Sequence, residues 1–169
     1  MRNKISTKKL LISAICVAAG ITLQIAESAF DFFAVPGGKI GLANIITIVS
    51  LYILGGKYAT GVAFMRSVLG CVLYGGAGAM PYSVCGAVFS AVCMSVLYYK
   101  TRGKLSAVGL SVAGAAASSM AQIAVGTVIF SNPYLFTYLP VILLVSLAGG
   151  ICTGFGAKLI LDRMVGRDL

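Results

Sequence analysis

The sequence predicts an all-α membrane protein, a bundle of six transmembrane helices with both termini in the cytoplasm. Of its 169 residues, 59% are hydrophobic and only 10% are charged, whereas an ordinary soluble domain is about 25% charged. The mean hydropathy is +1.00. Apolar runs recur at lengths suited to a bilayer core about 30 Å thick, which takes about 20 helical residues to cross. Basic residues cluster in alternate connections between these runs.

We expect residues 1–169 to form a single integral membrane domain, because six spans leave only short loops and termini. The basic N-terminal segment resembles the start of a signal peptide, but the later runs are equally apolar, which indicates an uncleaved first span. The predicted spans cover about residues 10–29, 39–55, 58–75, 81–99, 105–130 and 138–161.

The distribution of lysine and arginine predicts the topology. Eleven of the thirteen basic residues lie in the N-terminal segment, in the turns after the second and fourth spans, and near the C-terminal end. The other three loops contain only Lys39, and Arg66 lies within a span. Because cytoplasmic loops of membrane proteins carry the excess of positive charge, both termini are predicted to be cytoplasmic. The same locations account for the net charge of +9 without a nucleic-acid partner.

The residue types also restrict the chemistry. The chain has no histidine, and its five cysteines all lie in apolar runs without a Cys-x-x-Cys pair, as expected for packing residues. No two acids lie in one apolar segment, which argues against a buried two-carboxylate site. We therefore expect no catalytic residue, no metal and no cofactor. The four acids are Glu27, Asp31, Asp162 and Asp168.

Arg66 is the most unusual residue of the third predicted span. An arginine at the centre of a membrane helix costs about 2.5–3.5 kcal/mol on a translocon scale, so it normally faces the protein interior. It is expected there to pair with an acid or to bind an anionic ligand, and exposure to lipid is the third alternative. On the non-cytoplasmic side the acids available to it are Glu27 and Asp31.

The first loop, FDFFAVPGGKIGLAN, combines phenylalanines, an acid and a Pro-Gly-Gly turn with Lys39, and then enters a helix that carries Asn44. Glycines let the backbone approach a ligand, and the N–H groups of a helix start favour anions. The segment predicts either a ligand-binding loop or a re-entrant turn anchored by aromatic residues. Phe33 and its neighbours Phe30 and Phe32 would close over a ligand in the first case.

The fifth predicted span contains a polar patch, Gln122 with Ser118 and Ser119. Its members either form hydrogen bonds between helices or contact a ligand. The candidate substrate-binding residues are accordingly Glu27, Asp31, Phe33, Lys39, Asn44, Arg66 and Gln122.

The segments GGKIGLANIITIVSLYILG, MRSVLG and YLPVILLVSLAGGICTGF, together with Gly114–Gln122, resemble a family of bacterial membrane proteins. It is called the Gx transporter family or the heptaprenyl diphosphate synthase component I family, and the resemblance covers nearly the whole chain. Family members often carry a His-Asn pair where this chain has Ser118 and Ser119, which implies a different ligand or affinity if that pair contacts substrate.

The family in turn resembles the S components of energy-coupling factor (ECF) transporters. That resemblance implies six helices, capture of a small molecule on the outer side, and location in the bacterial plasma membrane. It also implies partners, namely a transmembrane coupling protein and two ATP-binding subunits. An Ala-xxx-Ala pair on the first helix of S components meets the coupling protein, and Ala14 and Ala18 match it. The chain has no Gly-x-x-x-x-Gly-Lys-Ser/Thr loop, so ATP would be hydrolysed by partners.

The expected function is therefore that of a non-enzymatic, substrate-binding membrane subunit of an ECF-type uptake transporter. Its substrate is expected to be a small molecule, either anionic or linked to quinone or isoprenoid metabolism. The alternatives are a non-catalytic membrane subunit of a heptaprenyl diphosphate synthase, which would lack the Asp-Asp-x-x-Asp motif of such enzymes, or a subunit of a flavin- or quinone-linked extracellular electron transfer assembly. A scaffold in which Arg66 only pairs with an acid is a further alternative.

Overall fold

The computed structural model describes residues 7–29 and 41–165, and within them the regular structure is helical. A π-helical turn at Cys71–Gly75 joins the third helix to the fourth, and a short 3-10 helix at Pro133–Tyr138 precedes the last. The six α-helices are α1 (Thr7–Ala29), α2 (Ala43–Leu54), α3 (Gly56–Gly70), α4 (Gly76–Lys100), α5 (Ala107–Phe130) and α6 (Leu139–Val165).

Four helical segments are long and apolar enough to cross a membrane. They are Thr7–Glu27, Gly78–Lys100, Ala107–Phe130 and Pro133–Met164. Their outer faces expose large apolar side chains such as Val128 and Leu144, which suit contact with lipid rather than water. The predictions of an all-α fold and of transmembrane helices are confirmed at this level.

The remaining helices, α2 and α3, are shorter. The 12 residues of α2 extend only about 18 Å, well under the thickness of a bilayer core. Most of its side chains are buried against other helices, so its length is not set by contact with lipid. The six-span count and the orientation of the termini therefore stay predictions.

The helices surround α2. Helices α1, α3, α4, α5 and α6 pack as neighbours in that order, and α2 packs against all five of them. The N-terminal end of α2, which begins at Ala43, lies at a cavity between the helices.

The opposite half of the bundle is closely packed. Its apolar core joins α2 through α6 and includes Ile48, Leu51, Met94 and Leu161. On α6, Gly154 lies so close to α5 that an added Cβ would stand 2.6 Å from the Cα of Val108. Small residues four apart, Gly150 and Gly154, thus allow two helix backbones to approach, as the sequence pattern predicts.

Basic residues collect at this packed end of the described structure, which we call the basic end. The Gly56 amide donates to the Tyr99 hydroxyl at 2.9 Å, which brings the start of α3 to the end of α4. The Tyr52 hydroxyl donates to the carbonyl of Leu105 at 3.4 Å, which brings the end of α2 to the start of α5. The basic end carries Lys8, Lys9, Lys57, Lys100, Arg102, Lys104, Lys158 and Arg163.

The connection between the third and fourth helices differs from the prediction. We expected a span over residues 58–75, a Gly/Ala loop at 75–79 and a new span from residue 81. Regular α-helix instead ends at Gly70, and α4 begins at Gly76 and continues through Pro81. Backbone groups in a membrane must be hydrogen-bonded within the protein, so a glycine-rich stretch that would be a loop in water stays helical.

Candidate functional site: a polar cavity

A cavity of about 660 Å³ lies at the N-terminal end of α2. Ala43 and Asn44, from the first turn of α2, are part of its wall. The remaining wall comes from α1 and α3 on one side and from α4, α5, the 3-10 helix and α6 on the other. The volume falls in the range of small-molecule sites, about 300–1,000 Å³.

Arg66 reaches this cavity from α3 and is only 5% exposed. Its Nη2 donates to Asn44 Oδ1 at 3.1 Å and to Thr47 Oγ1 at 3.4 Å, so two neutral side chains of α2 hold the guanidinium. Its Nε is buried without a hydrogen-bond partner. Nη1 likewise donates to no group in the described part of the chain. Much of the hydrogen-bonding capacity of this cation therefore remains unused.

Glu27, near the end of α1, is buried at the edge of the same cavity. Its Oε1 accepts from the Gly41 amide at 2.5 Å and its Oε2 from the Leu42 amide at 3.0 Å. These amides precede the first turn of α2, whose own N-cap residue Leu42 supplies no side-chain acceptor. Glu27 thus caps α2 from another helix, which satisfies donors that a helix start leaves open.

Arg66 and Glu27 do not form an ion pair, although both line the cavity. Within residues 7–29 and 41–165 the arginine bonds only to Asn44 and Thr47, and the carboxylate bonds to backbone amides. Within these residues the structure therefore shows no direct hydrogen bond between Arg66 and Glu27, because the amides before α2 bind both carboxylate oxygens. Asp31, the other acid considered for Arg66, lies outside the described residues, so the pairing of Arg66 with an acid stays a prediction.

Two glycines make room for the polar groups between α1 and α3. A Cβ added at Gly20 would stand 2.8 Å from Arg66 Cδ, and one at Gly70 would stand 2.8 Å from Gln24 Nε2. Each helix thus offers a glycine to the polar side chain of the other. Gln24 lines the cavity next to Arg66, and its Oε1 is buried without a partner.

A second polar group comes from α5 and α6. Gln122 Nε2 donates to Ser118 Oγ at 3.0 Å, and Ser119 shares a hydrogen bond with Ser146 of α6. Gly86 of α4 leaves the space for this patch, because a Cβ there would stand 2.7 Å from Gln122 Nε2. All four polar residues line the cavity.

The rest of the cavity wall is largely apolar and aromatic. Tyr82 and Phe130 stack with ring centroids 6.4 Å apart. Leu135, Tyr138 and Ile142, from the 3-10 helix and the start of α6, continue this surface. A planar or aliphatic portion of a ligand would contact these residues, while the polar groups would fix its orientation.

The structure brings four of the predicted substrate-binding residues to one cavity, namely Glu27, Asn44, Arg66 and Gln122. The other three, Asp31, Phe33 and Lys39, lie outside the described residues. The predicted docking pair, Ala14 and Ala18, is exposed on α1.

Gln24 and Ser146 line the cavity but are not among the residues predicted from the sequence. Gln24 had a signal, since it is an amide in an apolar helix one turn before Glu27. Ser146 had none, because a single serine in an apolar helix commonly bonds its own backbone or a neighbouring helix.

The described wall of the cavity contains few titratable side chains. Among the described residues no cluster of three histidine, cysteine or acidic side chains could hold a metal ion. The cavity contains one described carboxylate, and that group is engaged by backbone amides.

The fold and the cavity together define a class of protein, an all-helical membrane protein with a small-molecule-sized polar cavity between its helices. The family model for heptaprenyl diphosphate synthase component I matches residues 16–160. The chain belongs to this family, and the words "component I" imply a partner component. No curated protein and no solved structure matched the chain.

Proposed function

We propose that this protein is the substrate-binding membrane subunit of an uptake transporter of the ECF type, and that it binds a small molecule in the cavity. The observation that carries the proposal is the buried Arg66, which lines a cavity of about 660 Å³ and whose Nη1 has no hydrogen-bond partner in the described structure. A buried cation inside a membrane protein is costly unless it is compensated. An anionic or carbonyl-bearing ligand would supply that compensation.

The distribution of charge supports uptake from the outer side. The cavity lies at one end of the bundle, and eight of the nine described basic residues lie at the other. If the basic end faces the cytoplasm, as the positive-inside rule predicts, then both termini are cytoplasmic and the cavity is on the outer side. The substrate would enter there and leave towards the cytoplasm after a change in the bundle.

The two faces of α1 support a role in a larger assembly. Gly20, Gln24 and Glu27 face the cavity side of the helix, while Ala14 and Ala18 are exposed. Among the described residues, α1 packs mainly against α2 and α3, and Ala14 and Ala18 lie on its exposed side. Small residues four apart allow close approach of another helix, which fits docking on a transmembrane coupling protein.

Native mass spectrometry of the protein purified from its own membranes tests the binding site. We expect the wild type to retain a small molecule, Arg66→Gln to lose it, and Lys104→Gln, at the basic end, to keep it. Lys39→Gln tests the remaining predicted cation in the same way, and we expect partial loss. A wild type without any bound molecule, or full retention by Arg66→Gln, would contradict the proposed function.

A second candidate is a non-catalytic membrane subunit of a heptaprenyl diphosphate synthase, which the family name favours. Affinity purification from native membranes separates the two functions. Co-purification of ATP-binding subunits supports transport, and its loss in an Ala14→Leu/Ala18→Leu variant would locate the contact. Co-purification of a prenyl diphosphate synthase, or of an extracytoplasmic redox protein, without ATP-binding subunits would contradict the proposed transport function.

A further inference from the structure

The cavity has two polar groups of different character on different helices. On the α1–α3 side, neutral acceptors hold the positive charge of Arg66, and Gln24 of α1 lines the same part of the wall. On the α5–α6 side, Gln122 and three serines are uncharged. Apolar and aromatic residues make up most of the wall elsewhere, including Tyr82 and Ile142.

The charge on the described wall is small. Arg66 is its one cation and Glu27 its one anion. Both oxygens of Glu27 accept backbone amides at the start of α2, where the partial positive charge of the helix end further compensates the carboxylate. Glu27 is therefore not available to bind a cationic ligand. Nη1 of Arg66 has no acceptor within the described structure, so an acceptor of the ligand would bind there.

Gln122, in the uncharged polar group of α5 and α6, offers the ligand a second polar contact. Gln122 uses one amide proton on Ser118, and its Oε1 accepts no hydrogen bond within the described structure. This oxygen is not among the buried unpaired atoms, so it faces open space. A ligand group that can donate a hydrogen bond, such as a hydroxyl or an amide, would satisfy it.

We propose that the cavity binds a compact molecule that places an acidic group at Arg66 and an uncharged hydrogen-bond donor at Gln122. The proposal rests on the proposed function, since it assumes that the cavity is a binding site. Gln122 is then a residue that determines specificity, and Gly86 preserves the space that its amide needs.

An enrichment experiment tests the proposal. Immobilised wild-type protein in lipid nanodiscs is incubated with the small-molecule extract of the cells that produce it, and bound compounds are eluted and identified by mass spectrometry. Arg66→Gln and Gln122→Leu are treated alike, with Gly61→Ala as the control, since nothing lies within 4 Å of a Cβ at Gly61. We expect a compound with an acidic group, reduced about tenfold or more by Arg66→Gln and about threefold to tenfold by Gln122→Leu.

Other outcomes would overturn either this inference or the proposed function. Enrichment of compounds without an acidic group, or full retention by Gln122→Leu, would overturn this inference while leaving a binding function intact. Equal recovery from wild type and Arg66→Gln would overturn the proposed function itself. If Gln122→Leu fails to fold, Gly86→Ala serves instead, because its Cβ would displace the Gln122 amide, and the same reduction is expected.

Discussion

The two ends of this bundle are built differently, although both are made of apolar helices. At the basic end, α2 through α6 form a closely packed core, and glycines on α6 let two backbones approach. At the cavity end, the first turn of α2 lines a cavity, and glycines on α1, α3 and α4 make room for polar side chains instead. The same residue type thus serves close packing at one end and an open polar site at the other.

This difference indicates a division of roles. Dispersion contacts and buried apolar area at the basic end hold the helices together. The cavity end gives up part of this packing and relies on a few polar contacts, chiefly those of Glu27 and Arg66. We therefore expect substitutions at the basic end to change stability and those at the cavity end to change ligand binding more strongly.

The largest effect is expected for Gly154→Val. Its Cβ would stand 2.6 Å from the backbone of Val108, so α5 and α6 must separate. Overpacking of this kind costs about 3 kcal/mol in the free energy of unfolding. Thermal unfolding in nanodiscs measures it, with Gly61→Val as the control. Equal stability of the two variants would show that the basic end is not closely packed.

A smaller loss is expected for Glu27→Gln. The glutamine side chain has no charge and keeps only one oxygen to accept from the two backbone amides before α2. We expect the free energy of unfolding to fall by about 2 kcal/mol. The control is Asp162→Asn, which removes the acid of α6 near the basic end. Hydrogen exchange at Gly41 and Leu42 locates the change, and unaltered protection there would contradict the cap.

Gly20→Ala, at the cavity end, is expected to weaken ligand binding while changing stability little. The added methyl group would meet Arg66 Cδ at 2.8 Å, a flexible side chain that can shift, so stability should change little. The displaced guanidinium should weaken ligand retention about tenfold, or about 1.4 kcal/mol. Native mass spectrometry and thermal unfolding are measured together against Gly61→Ala. If Gly20→Ala lowered stability but retained the ligand fully, the cavity end would serve packing rather than binding, contrary to the proposed division of roles.

The smallest effect is expected for Ser106→Ala at the basic end. The Ser106 side chain caps α5 by accepting from the Gly109 amide at 3.1 Å. Loss of this cap should lower the free energy of unfolding by about 1 kcal/mol and leave ligand binding unchanged. Ser13→Ala is a matched control, because the Ser13 hydroxyl only donates to the carbonyl of Lys9 within α1. A change in ligand retention would show that the two ends are coupled.

The sequence identified Arg66, Asn44, Glu27 and Gln122 as candidates because a polar side chain in a long apolar run is costly and therefore conspicuous. It did not predict their contacts. Glu27, an acid that could pair with Arg66, instead accepts hydrogen bonds from the amides before α2. A carboxylate can bind either an arginine or free backbone amides, and the course of the backbone decides which of them it reaches. That outcome depends on where α1 ends relative to the start of α2.

The sequence by itself determined that this chain is an all-α membrane protein, because hydropathy and length are properties of each segment alone. Only the tertiary structure decided which helix lies at the centre, where the cavity forms, and which side of each helix faces it. Lipid and protein core are both apolar, so hydrophobicity does not distinguish the inward face of a membrane helix from the outward one. Gln24 and Ser146 became part of the site only where the packing of the helices brings them to the cavity wall.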